Sequence, residues 1–249
     1  MSNRGNNSGA TVGVVRALYR YPVKSMRGEA LDEARLSAHG FAGDRRYAFV
    51  RTGNTSSFPW FTARQVPALL RYAPYFAAPD DPERSPIRVR TPDAGDLPLE
   101  SDELRGELAD AFGAAIHLTH AGRGTFGCAP VSIISLATVR GLGERVGADL
   151  DPRRFRPNVL VETPDGRPFA EDGWLGGLLL FGERDDSALV RADERDPRCM
   201  MINLDPDRAE QQPAVLREVA RTNETCAGIY GAVERPGTIT VGDVVRLIV

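Results

Sequence analysis

Apolar and polar residues alternate along much of the chain in short runs that end at turn residues. An alternation with a period of two places successive side chains on opposite faces and is typical of strands with one buried face. We therefore expect strands over residues 12–21, 31–37, 45–51, 87–90, 158–162, 178–181, 188–192, 229–233 and 244–249. Gly28, Gly40, Gly43 and the Gly53-Asn54 pair indicate tight turns between the first of these strands. This rhythm favours an antiparallel barrel or sandwich.

Three stretches follow the 3.6-residue period of an amphipathic helix instead. They cover residues 102–112, residues 136–146 and the segment from Pro213 through Val219. The first has Ser101 or Asp102 as its capping residue, and Gly113 stands just beyond its end. The pattern as a whole predicts a mainly β fold with a few covering helices.

Composition and charge narrow the class of protein. The chain has 249 residues, of which 42% are hydrophobic and 26% charged, as is ordinary for a globular protein. The net charge of −3 does not indicate a nucleic-acid partner, and no apolar run approaches the length of a membrane-spanning helix. Residues 1–10 are polar and lack the apolar core of a secretory signal, so we expect a disordered tail. Three cysteines do not suggest a disulfide framework, and we expect a cytoplasmic protein.

Lys24 is the only lysine among 31 basic residues. In a chain so biased toward arginine, a retained lysine indicates a site that needs a compact ammonium, although a chance survivor is the alternative. Other cations also cluster next to predicted strand ends, and the clusters are Lys24-Ser25, Arg45-Arg46, Arg64 and Arg153-Arg154-Phe155-Arg156. Lysine binds phosphate as a point charge and arginine as a bidentate fork, so these clusters suit one phosphorylated ligand. Solvated surface charge is the competing interpretation.

Cys199 follows Arg198 in the run DPRCMMI. An adjacent arginine favours the thiolate, which is the form that binds soft metals, but a buried structural cysteine fits the isolated residue better. The histidines at 39, 117 and 120 lack zinc-site spacing, and no nucleophile elbow, Walker loop or dinucleotide fingerprint is present. Ordinary hydrolase and nucleotide-binding functions are therefore disfavoured.

Taken in order, these motifs resemble the MOSC family, named for the C-terminal domain of molybdenum cofactor sulfurase. The resemblance is greatest to the two-part members that include the mitochondrial amidoxime-reducing component. The matching stretches are YPVKSMRGE (21–29), GDRRYAFV (43–50), TARQVPAL (62–69), RFRPNVLVE (154–162), PFAEDGW (168–174), RCMMINLDPD (198–207) and RPGTITVGDVV (235–245). The resemblance implies an N-terminal β-barrel region over residues 11–97, a MOSC-type β-barrel domain over residues 98–249, and a pterin cofactor between them.

The resemblance also implies roles for individual residues. Lys24 and Ser25, with Arg45, would bind the phosphate end of a molybdenum cofactor. Cys199 would supply the thiolate to molybdenum and so be the catalytic residue.

A second set of residues would surround the same cofactor. Arg156 and Asn158 would contact its phosphate and pterin, and Arg46, Arg64 and Arg154 would extend the basic pocket on chemical grounds. The chain departs from the family at Gly127-Cys128-Ala129-Pro130, where relatives usually have an acidic residue and hydroxyls. Cys128 replaces a cofactor-contacting hydroxyl there, so we expect it to line the pocket.

The activity that the resemblance implies is reduction of an N-oxygenated small molecule by oxygen-atom transfer. Three widely spaced cysteines cannot build a four-cysteine iron–sulfur site, so the electrons would come from a flavin reductase, a ferredoxin or a haem protein. Two alternatives stay open: a sulfur carrier with a persulfide on Cys199, and a non-catalytic cofactor-binding protein. A specialised biosynthetic enzyme is a third, more remote one.

Overall fold

The computed structural model describes residues 9–122, 124 and 129–249. In chain order, its strands are β1 (Ala10–Arg20), β2 (Glu29–Leu31), β3 (Glu33–Ser37), β4 (Gly40–Phe41), β5 (Tyr47–Arg51), β6 (Ala73–Phe76), β7 (Ile87–Arg90), β8 (Asp96–Pro98), β9 (Ile116–His120), β10 (Val131–Ser135), β11 (Val159–Glu162), β12 (Leu178–Phe181), β13 (Leu189–Pro197), β14 (Cys226–Arg235), β15 (Gly237–Thr240) and β16 (Val244–Ile248). The described α-helices are α1 (Asp102–Phe112), α2 (Leu136–Val146) and α3 (Ala214–Asn223).

Seven strands close into a barrel in the order β1-β11-β10-β14-β13-β12-β16 and back to β1. Strand β1 closes the ring, because its first half pairs with β16 and its second half with β11. All neighbours are antiparallel except β10 and β11, which run parallel. Inward-facing apolar side chains such as Leu18, Ile133 and Phe181 fill the interior. Burial of such side chains is the main stabilising term for a barrel of this size.

Two further apolar cores flank the barrel. One lies among the sheet β6-β7-β8, the pair β5-β9 and helix α1, and it contains Phe49, Leu104 and Leu108. The other lies under helices α2 and α3 and contains Leu142, Val219 and other side chains from both helices.

The predicted fold class is confirmed, since the chain is mainly β with a closed barrel and α-helices on its outside. The predicted bounds of α1 and α2 also match those of the structure. Ser101 caps α1 by accepting the backbone N–H of Leu104, and Gly113 and Gly147 end the two helices in the left-handed conformation. The ends of both helices therefore follow from their local capping residues.

Strand β10 has no counterpart among the predicted strands. All five of its residues are buried, because one face lies in the barrel and the other lies under α2. A strand buried on both faces has no alternation of apolar and polar residues, so the periodicity carries no signal there. The same pattern of burial places Ser132 and Ser135 inside the protein.

The division of the chain at residues 97 and 98 stays a prediction. The packing crosses that division, because β1 completes a barrel whose other six strands lie after residue 98. Strand β15 likewise pairs with β3. No helix in the described ranges has the length and apolarity needed to span a bilayer.

Candidate functional site

A cavity of about 200 Å³ opens where the end of β1, the segment before β5 and the end of β13 meet. Its wall carries six cationic side chains, Lys24, Arg45, Arg64, Arg154, Arg156 and Arg198. One carboxylate, that of Asp196, stands among them on the described wall. Such an excess of positive charge around a concave site concentrates anions. The predicted strand-end cations therefore meet at one cavity, and their binding of an anionic ligand stays a prediction.

Three of the wall residues hold the left-handed backbone conformation that favours glycine. The φ angles of Ser25, Arg45 and Arg156 are 66°, 51° and 50°. Each such residue costs on the order of 1–2 kcal/mol in backbone energy, so surrounding contacts must hold it in place. Backbone hydrogen bonds hold this segment. The N–H of Arg45 donates to the carbonyl of Tyr21 at 2.7 Å, and the N–H of Lys24, next to Ser25, donates to the carbonyl of Tyr47 at 2.8 Å.

Tyr21 holds two of the cations in position. The guanidinium groups of Arg45 and Arg156 lie 4.7 and 4.2 Å from the centre of its ring. Its hydroxyl donates to the carbonyl of Pro157 at 3.1 Å, and burial raises the pKa of Tyr21, so the ring stays neutral. A Cβ at residue 28 would lie 2.4 Å from this ring, and Gly28 is therefore needed for the close packing.

Asp44 is the buried counter-charge behind this wall. It accepts the backbone N–H of Tyr21 at 2.7 Å, a side-chain N–H of Asn158 at 3.1 Å and the guanidinium of Arg45. Asn158 in turn accepts the Arg45 guanidinium at 3.2 Å and the backbone N–H of Ser132 at 3.1 Å. These contacts pre-organise Arg45, and they place Asn158 behind the wall.

Burial and neighbouring cations lower the pKa of Lys24 to about 8. The contributing cations are Arg45, Arg156 and Arg64, whereas Cys199 acts in the opposite direction. The ammonium also lies 5.8 Å from the centre of the Trp60 ring. Lys24 is therefore a cation whose charge responds to pH near neutrality, and its field reaches the thiol.

Cys199 lies two residues after the end of β13, is half-buried and lines the wall of the cavity. Its neighbour Arg198 donates to the carbonyls of Ala227 and Phe155, both at 2.7 Å, and pairs with Asp196 at 2.8 Å. The guanidinium of Arg198 is thus committed to the protein interior. Lys24 and Cys199 lie on the same cavity wall, and their proximity was not predictable from chain order.

Asp196 is only 1% exposed, and its carboxylate is held by several donors. Ser132 donates its hydroxyl at 2.9 Å, and Tyr230 also forms a hydrogen bond to it. Burial raises the pKa of Asp196, while the positive charge of Arg198 opposes that rise. The network fixes the end of β13 and hence the backbone that leads to Cys199.

The structure brings seven of the predicted site residues together on the wall, namely Lys24, Ser25, Arg45, Arg64, Arg154, Arg156 and Cys199. Two others lie off it. Asn158 is buried behind Arg45, and Arg46 is turned away to pair with Glu83 at 3.2 Å and to donate to the carbonyl of Gly122. Cys128 falls outside the described residues. The roles of all ten residues in binding a cofactor stay predictions.

Sequence reasoning missed several residues that shape the site. Tyr21 and Asp44 stand inside quoted motifs, so their positions were visible although their roles were not. Ser132 and Tyr230 have no local signal, because they come from β10 and β14 and reach the wall only through barrel closure. Phe58 was likewise missed and stands at the open side of the cavity.

Comparison with known proteins agrees with these observations. Residues 107–246 match the model of the MOSC domain, and residues 12–120 match that of the MOSC N-terminal beta barrel domain. Human mitochondrial amidoxime-reducing component 1 is 24% identical, over 95% of this chain and 83% of the relative. Mitochondrial amidoxime reducing component 2 of Macaca fascicularis is 25% identical, over 93% and 82%.

A solved structure shares the fold. The YUAD protein from Bacillus subtilis superposes with a TM-score of 0.51 and 16% identity, over 95% of each chain. The family-model matches cover more than half of this chain and associate it with the molybdenum cofactor at the level of the family. The chain therefore belongs to the MOSC domain family.

Proposed function

We propose that the chain binds a molybdenum–pterin cofactor in this cavity and reduces N-oxygenated small molecules with electrons from a separate protein. The observation that carries the proposal is the meeting of six cationic side chains and the Cys199 thiol in one cavity. The relatives suggest the reaction class, since they are amidoxime-reducing components.

The chemistry of the donor set fits such a cofactor. Guanidinium and ammonium groups suit its phosphate, the hydroxyls of Ser25 and Thr62 offer further hydrogen bonds, and a thiolate suits molybdenum. Nε of Arg154 is buried on this wall without a hydrogen-bond partner among the described residues. A buried donor left in that state costs free energy, and a bound anion would relieve part of it.

Each residue has a distinct task under this proposal. Arg45 and Arg156, held by Tyr21, would bind the phosphate without reorganising, and Lys24 would add a point charge. Cys199 would hold the metal through its thiolate. When bound, the molybdenum centre supplies two-electron oxygen-atom transfer, and the protein orients and tunes it.

The overall reaction takes up two electrons and two protons and releases the substrate oxygen as water. Three cysteines cannot form a four-cysteine iron–sulfur site, so a flavin reductase, a ferredoxin or a haem protein would deliver the electrons. No group of three or more His, Cys, Asp or Glu side chains suited to a metal ion occurs in the described parts of the chain.

The test is to purify the protein from a host that makes the cofactor and to measure molybdenum, pterin and benzamidoxime reduction with an artificial electron donor. We expect near-stoichiometric metal and measurable turnover. For Cys199→Ser we expect retained pterin but a loss of activity of about a hundredfold or more, because the metal ligand is gone. Cys226→Ser is the matched control, since Cys226 does not line the cavity.

Other outcomes separate the competing functions. Protein without molybdenum but with a persulfide on Cys199 would indicate a sulfur carrier. Stoichiometric cofactor with no turnover of any N-oxygenated compound would indicate a binding protein. Undiminished reduction by Cys199→Ser would remove the thiol from the proposed mechanism.

A further inference from the structure

The segment after β5 presents an aromatic ring at the mouth of the cavity. Phe58 is 39% exposed and lies on the cavity wall. The other exposed large apolar side chains in the described chain are aliphatic and lie off this wall, namely Val14, Leu175, Val241 and Val249. An exposed aromatic ring at the entrance of a polar site offers a stacking surface to a ligand.

The backbone beneath this ring is anchored to β5. Arg51 donates its side chain to the carbonyl of Phe58 at 2.7 Å and its backbone N–H to Pro59 at 3.0 Å. The next residues return to the sheet, because Trp60 forms a bridge with Val50. The ring of Phe58 is therefore exposed on a fixed base, which limits the entropy lost when a ligand stacks on it.

Arg64 places a cation over one face of the Phe58 ring, which leaves the other face for a ligand. Its guanidinium lies 5.2 Å from the centre of the Phe58 ring and is exposed, and it makes no ion pair with any residue in the described ranges. Arg64 also contributes to the lowered pKa of Lys24, so its positive field extends into the cavity. The mouth thus combines a flat apolar surface with a positive charge available to an anion.

We propose that Phe58 and Arg64 form a substrate subsite that selects planar aromatic N-oxygenated compounds carrying an anionic substituent such as a carboxylate. The aromatic ring of the substrate stacks on Phe58, and its carboxylate pairs with Arg64. The reacting N–O group then points toward the interior of the cavity. This inference rests on the proposed function, because it assigns the substrate class of the same site.

The experiment compares three substrates that add one feature at a time: acetamidoxime, benzamidoxime and 4-carboxybenzamidoxime. We expect Phe58→Ala to lower the preference in kcat/KM for benzamidoxime over acetamidoxime by about tenfold. We expect Arg64→Gln to lower the preference for 4-carboxybenzamidoxime over benzamidoxime by about fivefold. Ratios are used because a change in cofactor content scales all three substrates equally.

Two variants serve as matched controls. Leu175→Ala removes an apolar side chain of similar exposure, 37%, away from the cavity, and Arg84→Gln removes an exposed cation elsewhere on the surface. Both should leave the substrate ratios unchanged. Ratios that stay constant in Phe58→Ala and Arg64→Gln would overturn the subsite.

A binding measurement tests the subsite independently of turnover. Trp174 is buried in the barrel core and Trp60 is half-buried next to the mouth, so quenching of tryptophan fluorescence by 4-carboxybenzamidine reports on this region. We expect the signal to vanish in Trp60→Phe and the Kd to rise about fivefold or more in Phe58→Ala and Arg64→Gln. Binding with these dependences but without reductase activity would refute the proposed function alone, whereas turnover with unaltered Kd values would refute the subsite alone.

Discussion

At the scale of single residues, the cavity depends on how buried charges are balanced. Asp44 compensates Arg45, and Asp196 compensates Arg198, so these two cations are structural partners of carboxylates. Removing either carboxylate would leave a buried positive charge without a partner, which is more costly than loss of an exposed ion pair. Lys24 differs from both, because burial among other cations lowers its pKa.

The pKa of about 8 for Lys24 predicts a pH-dependent affinity for anions. An anion binds the ammonium form, so affinity should be high below about pH 8 and fall as the pH rises through that value. The measurement is calorimetric titration of the cofactor-free protein with sulfate, whose own charge is constant in this range. In Lys24→Arg the decline should disappear, because a guanidinium stays charged at these pH values. A decline of the same midpoint in Lys24→Arg would show that another group titrates.

Some of the cavity residues were predictable from the sequence, and others were not. Cations with motif context, such as Lys24 and Arg156, were predictable as cavity residues because phosphate chemistry requires them. Arg46 was grouped with Arg45 on adjacency, but a turn directs the two side chains apart, and Arg46 pairs with Glu83 instead. Adjacency in the chain does not fix side-chain direction at a turn, since that direction follows from the local φ and ψ angles.

At the scale of elements, α2 is held by a buried carboxylate from a distant segment. Glu171 accepts the backbone N–H of Ser135 at 3.2 Å and the hydroxyl of Thr138 at 3.0 Å. These donors belong to the first turn of α2 and to its cap, where backbone N–H groups lack partners within the helix. A negative charge there also interacts favourably with the helix dipole.

Burial raises the pKa of Glu171 above its ordinary value of 4.5. Between pH 4.5 and the raised pKa of Glu171, the folded state binds more protons than the unfolded state. The contribution of Glu171 to stability therefore declines as the pH rises through that window. We expect the free energy of unfolding of wild type minus that of Glu171→Gln to decrease with pH above about 4.5, measured by urea denaturation. Glu144→Gln, on an exposed site of the same helix, should show no such trend. A flat difference for Glu171→Gln would contradict the assignment.

The strands show the limit of pattern-based prediction at this scale. Strand β7, in which buried residues alternate with more exposed ones, was predicted with its observed bounds, and so was β12, which is buried on both faces but is a short apolar run. Strands β13 and β14 are longer than predicted, and the strands that were missed include β6, β8, β10 and β15. These errors arise because the length of a strand and the burial of its second face depend on the elements that pack against it.

At the scale of the whole molecule, the barrel joins the two ends of the chain. Ala10 of β1 lies opposite Leu247 of β16, and the two strands are antiparallel. Strand β1 also pairs with β11 through Leu18 and Val159. A barrel without β1 would have two open edges and an exposed apolar interior.

This closure predicts that a fragment of residues 98–249 will not unfold cooperatively on heating. Joining residues 9–21 to Val249 through a short glycine-rich turn should restore a cooperative transition in circular dichroism, because the added strand can occupy the gap. The same joined fragment with Leu18→Asp is the control, since Leu18 is buried in the barrel core. A cooperative transition in the unjoined fragment would show that β1 is dispensable.

The sequence by itself determined the elements whose signals are local. Capping residues and the 3.6-residue period defined α1 and α2, alternation defined the half-exposed strands, and the ordered motifs identified the cations of the site. These signals suffice because each depends on a residue and its near neighbours along the chain.

Only the tertiary structure decided which of these residues share a cavity and what electrostatic state they hold. Lys24 and Cys199 are 175 positions apart in the numbering, yet barrel closure brings the ammonium within electrostatic reach of the thiol. Burial then sets the pKa of Lys24, and long-range contacts commit Arg198 to the interior and leave Arg64 at the mouth beside Phe58. Desolvation and charge coupling depend on distance in space, and chain order does not encode that distance.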